Sequence, residues 1–360
     1  MKNHLVLPLL LIISILTGCS QPEKLKLEAD NQQINYTGRI DFGNPKAPVL
    51  FWSGSEATLT INGTGLRVEL ADERGNNYFN IVIDKDSIRY IRLDSATKWY
   101  TLAKDLEEGE HTISLVKRNE WDKGSTTIHG FKVTGELLPT PKNSRTIEFI
   151  GNSITAGYAI EDLTGGDSPD STYTNNYPTY GAITSRNFNA DYVCTCRSGI
   201  GIMISWDPTI IMPEVFPRLN PKDSASRWDF SRITPDLVVV NLFQNDSWLV
   251  NMPEQPSFSL RLGEAAPGEE KIIASYQEFI SLVRNVYPDT PIICALGSMD
   301  ATKEGSAWPG YVQEAVDGLG DSLIYTHFFP FIEKGGHPRV ADNKRMAESL
   351  TSFIREKLKW

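Results

Sequence analysis

The feature that most constrains this chain is a change of hydrophobic period at its middle. Up to about Leu138, apolar and polar residues alternate with frequent turn residues, as in Ala57–Leu70, Tyr78–Asp84, Ser87–Leu93 and Thr112–Lys117. Period-two segments put one face in a core and the other in solvent, which predicts an antiparallel β-sandwich. Beyond Arg145 the apolar residues fall in short continuous runs: Thr146–Ile150, Asp236–Leu242, Pro291–Leu296 and Leu323–Phe328. Helical stretches separate them, over Tyr177–Phe188, Glu270–Val286, Pro309–Leu319 and Ala341–Leu358. Strands alternating with helices predict a parallel sheet covered on both faces, with its reactive groups at the carboxyl ends of the strands.

The expected organisation is a signal peptide at 1–18, a tether at 19–27, a β-sandwich at 28–138, a proline-bearing linker at 139–145 and an α/β domain at 146–360. The basic start, the apolar run Leu5–Leu16 and the small residues up to Cys19 form a secretory leader. Leu16-Thr17-Gly18-Cys19 resembles the lipobox of bacterial lipoproteins, which implies a diacylated Cys19 and an extracytoplasmic chain on the periplasmic or cell-surface side. No later stretch is long and apolar enough to span a bilayer, so the membrane is expected as a partner only through that lipid.

The formal net charge is −10, which disfavours nucleic acid and anionic membrane surfaces as partners. Cys194, Cys196 and Cys294 follow the leader, and Cys194 and Cys196 stand two apart on a strand, a spacing that rarely suits a disulfide. Buried thiols are expected, and no Cys/His spacing suggests a metal site.

Chemistry gathers in four places. Ile147–Gly151 runs as a strand into Asn152-Ser153, where a helix should begin, so Ser153 is either a helix cap or an exposed nucleophile with a free backbone N–H. A serine nucleophile needs a base, and the second domain holds only His327 and His337. His327 lies within an apolar run and reads as structural. His337 lies in Gly335-Gly336-His337-Pro338, a loop before the last helix, and reads as the base. Gly199, in Arg197-Ser198-Gly199-Ile200-Gly201, can offer a backbone N–H, and Asn245, after the most apolar strand, a side-chain amide.

In the order Ser, Gly, Asn, His, these segments resemble the four blocks of the SGNH, or GDSL-type, hydrolases. With the sandwich ahead of them, and Asn35–Asp41 near its start, the chain is similar to the two-domain acetyl esterases of carbohydrate esterase family 2, whose sandwich is a jelly roll. The resemblance implies Ser153 as nucleophile, His337 as base, and an oxyanion hole made by Ser153, Gly199 and Asn245. It further implies acetylated polysaccharide of the xylan or glucomannan type as substrate, and no metal or organic cofactor. The rival readings are an SGNH esterase or lipase on another acyl ester, and a decayed carbohydrate-binding lipoprotein.

Two positions depart from the family pattern. Asn152 replaces the Asp of Gly-Asp-Ser, and Lys334 stands where an acid three residues before the histidine usually orients it. A Ser153–His337 dyad is therefore expected, with a backbone carbonyl or Glu333 beside the other imidazole nitrogen. Trp206, Trp248, Trp308 and Tyr158 are candidates for stacking on sugar. The Gly/Asp/Ser-rich insertion Glu161–Asn176 is either a wall of the cleft or a solvated loop.

Overall fold

The computed structural model describes residues 24–360 except Lys334. The leader, Cys19 and Lys334, with the expectations placed on them, lie outside the described residues.

The first domain is an antiparallel sheet of ten strands wrapped around its own core. Its spine is the strand Glu56–Asp72, which pairs with Thr126–Leu138 along nearly its whole length. On its other edge the partner changes, from Glu110–Lys117 against residues 56–62 to Lys98–Ala103 against residues 66–70. The change of partner coincides with a bulge at Thr64, where the pairing steps from Gly63↔Gly135 to Gly65↔Thr134. One extra residue moves every later side chain to the opposite face. Accordingly Ala57, Leu59 and Ile61 point inward before the bulge, and Leu66, Val68 and Leu70 after it. Gly63 is obligatory here, because its φ is +158° and a Cβ would stand 2.2 Å from the Thr134 carbonyl oxygen.

The sandwich begins earlier than expected. Lys24–Leu27, read as tether, pairs with Phe131–Thr134 as an added strand, and Leu27 is buried. Its period is too short to be recognised without its partner.

The second domain is a five-stranded parallel sheet: β1 (Arg145–Gly151), β2 (Ala190–Cys196), β3 (Leu237–Asn241), β4 (Ile292–Leu296) and β5 (Ile324–Phe328), in spatial order β2-β1-β3-β4-β5. All of β3 and β4 is buried, as continuous apolar runs require of central strands. On one face Tyr180 of α1 (Tyr180–Asn187) and Met346, Leu350 and Ile354 of α2 (Val340–Leu358) pack against Phe149 and Val239. The other face meets Ile272 and Tyr276 of the helix Glu269–Val286 and Val312 of the helix Trp308–Leu319. Helix α1 starts three residues later than expected, because Thr179, after Pro178, caps it by accepting from the Ala182 N–H. Cys194, Cys196 and Cys294 are free and buried. Among the described residues no helix is long and apolar enough to cross a membrane.

The two domains meet at a buried ion pair. Arg39, from the Asn35–Asp41 segment, reaches Glu148 of β1 at 2.6 Å, and Glu148 also accepts from the hydroxyls of Thr195 and Tyr287 at 2.7 Å each. Trp52 adds an indole hydrogen bond to the Leu219 carbonyl at 2.7 Å.

Candidate active site

The strand order reverses between β1 and β3, and there the carboxyl ends of neighbouring strands open a crevice. A cleft of about 630 Å³ lies at that point, lined by Ser153, Gly199, Asn245 and His337. β1 delivers Ser153, β2 the segment holding Gly199, β3 Asn245, and the loop after β5 His337.

Ser153 is the first residue of a single helical turn, Ser153–Ala156. Its backbone N–H therefore has no acceptor within the helix. Asn152 keeps the turn by accepting from the Ile154 N–H at 3.0 Å, so the amide does what the absent carboxylate would do. Gly151 permits the tight approach, since a Cβ there would lie 2.0 Å from the Thr155 hydroxyl. Nε2 of His337 stands 2.8 Å from Oγ of Ser153.

The other imidazole nitrogen is held by a group that sequence reasoning missed. Nδ1 of His337 lies 2.8 Å from a carboxylate oxygen of Asp167, and the His337 backbone N–H reaches the same carboxylate at 3.1 Å. This occupies the place where a backbone carbonyl or Glu333 was expected, and Glu333 is exposed. The pair of Ser153 and His337 thus gains a third member, borne by the Glu161–Asn176 insertion, which forms part of the cleft wall. Arg339 pairs with Asp167 at 2.8 Å and donates to the Ala159 carbonyl at 2.6 Å. Burial alone would raise the Asp167 pKa, but the hydrogen bonds and charge of His337, with a hydrogen bond from Arg339, outweigh it and hold the carboxyl well below the usual range. No local signal marks Asp167: it is one acid among several in an aperiodic loop and itself adopts a left-handed φ of 52°.

Gly199 and Asn245 are fixed to one another. Asn245 donates its amide to the Ile200 carbonyl at 2.7 Å and accepts from the Trp206 indole at 3.1 Å, while Trp206 N–H bonds the Gly199 carbonyl at 2.9 Å. An amide nitrogen carries two hydrogens, so the second stays available to the cleft. Asp246, fully buried, accepts from the N–H groups of Ile202, Met203 and Ile204 at 2.8–3.2 Å. Burial pushes its carboxyl up to about 6 against those hydrogen bonds.

Of the aromatic candidates, Trp206, Trp248 and Tyr158 line the cleft. Trp206 is 44% exposed, and Trp248 bonds Asp300 at 3.2 Å. Tyr158 lies against His337, ring centres 5.0 Å apart. Trp308 is a correction: it begins the helix Trp308–Leu319 and packs on Phe243 and Tyr311, away from the cleft lining. His327 lies between Phe329 and Phe353, bonded to the Ser349 hydroxyl, and burial pushes its pKa down to about 4. It is a structural histidine.

The whole chain has relatives with this layout. A family two carbohydrate esterase from Clostridium thermocellum, solved in complex with cellohexaose, superposes with a TM-score of 0.80 at 32% identity, over 91% of this chain and 99% of that one. The chain belongs to carbohydrate esterase family 2. Residues 36–141 match the family profile described as carbohydrate esterase 2 N-terminal. This family member is 34% identical over 352 residues to the cellulase/esterase CelE of Acetivibrio thermocellus, matching 92% of this chain but spanning only 40% of CelE. It is also 23% identical to an acetylxylan esterase / glucomannan deacetylase of Cellvibrio japonicus, over 99% of both chains.

Proposed function

We propose that this family 2 esterase removes O-acetyl groups from polysaccharide or oligosaccharide of the xylan or glucomannan type, through an acyl-enzyme formed on Ser153. The observation that carries the chemistry is the 2.8 Å contact between Ser153 Oγ and His337 Nε2. The substrate class rests on the Cellvibrio relative's description and on the cellohexaose bound to the Clostridium relative.

Nε2 of His337 takes the Ser153 proton as Oγ attacks the acetyl carbonyl. The resulting oxyanion is met by the N–H groups of Ser153 and Gly199 and the Asn245 amide. His337 then gives its proton to the sugar oxygen as its bond to the acetyl carbon breaks, and a water deprotonated by the same imidazole attacks the acyl-enzyme, releasing acetate as the imidazolium returns a proton to the Ser153 oxygen. Asp167 holds Nδ1–H throughout, which keeps Nε2 facing the serine and stabilises the imidazolium that forms. Trp206, Trp248 and Tyr158 are the apolar surfaces for the sugar. The mature chain starts at a lipid-bearing Cys19 and works extracytoplasmically.

The test is acetate release from acetylated xylan and from 4-nitrophenyl acetate by the form starting after Cys19, beside Ser153→Ala. Release by the wild type and none by the variant is expected. No release by either overturns the reading in favour of a carbohydrate-binding lipoprotein.

A further inference from the structure

The sandwich domain reaches the catalytic site through one corner, the residues that follow its strand Glu110–Lys117. There Glu120 is buried, 5% exposed, yet its carboxylate faces the second domain. One oxygen accepts from the Ser198 backbone N–H at 2.7 Å, and the other takes the Ser198 hydroxyl. Ser198 immediately precedes Gly199, whose φ of +77° leaves that peptide without the steric restraint a side chain would supply. Arg197, on the other side, stacks on Trp121 at 3.9 Å and pairs with Asp207 at 2.6 Å. Glu120 itself is fixed, since its carbonyl and that of Asn119 accept from the buried Lys117 ammonium at 3.3 and 3.0 Å.

We infer that Glu120 is a positioning residue for the esterase reaction: from the sandwich domain it fixes the Ser198-Gly199 peptide so that the Gly199 N–H faces the developing oxyanion. Glu120 stands behind the cleft wall, which Ser198 and Gly199 line, so it acts through them without touching substrate. An oxyanion donor is effective only when held in place before the reaction, because reorientation during the step costs part of what the bond returns. The same corner braces the Asp167 insertion, with Arg118 on Glu161 at 2.5 Å and on the Thr172 carbonyl at 2.9 Å. The sandwich thereby becomes part of the catalytic apparatus, in addition to any contact it makes with sugar.

This inference rests on the proposed reaction, and its test separates the two. Wild type, Ser153→Ala, Glu120→Gln, Glu120→Asp and Glu120→Ala are compared for kcat and KM on 4-nitrophenyl acetate, with thermal melting as the control for folding. Gln keeps the length, an oxygen for the Ser198 N–H and an amide for its hydroxyl, so its kcat stays within about threefold of wild type. Asp keeps the charge but draws the carboxylate back by one methylene, so kcat falls about tenfold or more with KM within about twofold, as loss of oxyanion stabilisation requires. Folded Glu120→Asp or Glu120→Ala with wild-type kcat, or a loss confined to KM, overturns the inference while leaving the esterase reading intact. If Glu120→Ala does not fold, the contrast between Gln and Asp decides. Activity absent from the wild type strikes the proposed function instead.

Discussion

The carboxylate of Asp167 accepts from His337 twice, from ring Nδ1 at 2.8 Å and from the backbone N–H at 3.1 Å. The approach depends on Gly336, where φ is +88° and a Cβ would meet the Asp167 carboxylate at 2.9 Å. The carboxylate at Nδ1 therefore comes from an insertion after β1 and not from the imidazole's own loop. Asp167→Ala is expected to lower kcat by about 10²-fold or more with little change in KM, because imidazole orientation and imidazolium stabilisation matter only as charge develops. Glu333→Ala should retain nearly wild-type activity. Steady-state kinetics on 4-nitrophenyl acetate for both variants checks this, and equal losses would remove Asp167 from its role.

Asn245→Ala is expected to lower kcat by about 10²- to 10³-fold, the usual effect of deleting one oxyanion donor. The same change releases the Ile200 carbonyl and the Trp206 indole, so some loss of binding should accompany it. Pre-steady-state acylation by 4-nitrophenyl acetate separates the two, and unaltered acylation would place the oxyanion elsewhere.

The three tryptophans should divide by site. Trp248→Ala is expected to raise KM for acetylated oligosaccharide several-fold while leaving 4-nitrophenyl acetate hydrolysis nearly unchanged, whereas Trp206→Ala should raise that KM and also lower kcat on 4-nitrophenyl acetate, because its indole holds Asn245. Trp308→Ala should instead cost stability, about 3 kcal/mol, since its ring packs on Phe243. Kinetics on both substrates and urea denaturation of each variant distinguish these outcomes.

Removing one half of the buried interdomain pair should be severe. Arg39→Ala leaves Glu148 without its cation in a site where the charge is buried, and a loss of about 3–5 kcal/mol is expected. Arg39→Met with Glu148→Gln together should recover much of it, because the orphaned charge is then gone. Equilibrium unfolding of the single and double variants measures the coupling.

Burial, reinforced by the nearby charge of Asp122, raises the Glu120 carboxyl from 4.5 to about 7 in the folded chain. A group with a raised folded value favours its protonated form on folding. Its contribution is complete below about pH 4.5 and is lost as the pH rises through about 7, with an upper bound of about 3 kcal/mol. Glu120→Gln should flatten this part of the stability profile relative to wild type. Asp246, raised to about 6, contributes a parallel decline in both proteins, so the difference between them is the measurement. Identical slopes from pH 5 to 8 would show that Glu120 is not titrating there.

By itself the sequence determined the two-domain layout, because the periods of two and of continuous apolar runs follow directly from how strands are buried on one face or on both. It also determined Ser153 and His337 as the pair to examine, since strand, turn and helix are contiguous in the chain and base candidates were few. Tertiary structure alone decided what surrounds them. Asp167 and Glu120 sit in aperiodic segments and reach the site across 170 and 78 positions of sequence to His337 and Ser198, respectively. Trp308 shared residue type with Trp206 and Trp248, and only its packing on Phe243, half-buried at the edge of the core, set it apart. These contacts form when distant loops fold onto one another, within the α/β domain for Asp167 and His337 and across the two domains for Glu120 and Ser198, and no local period, cap or turn records them.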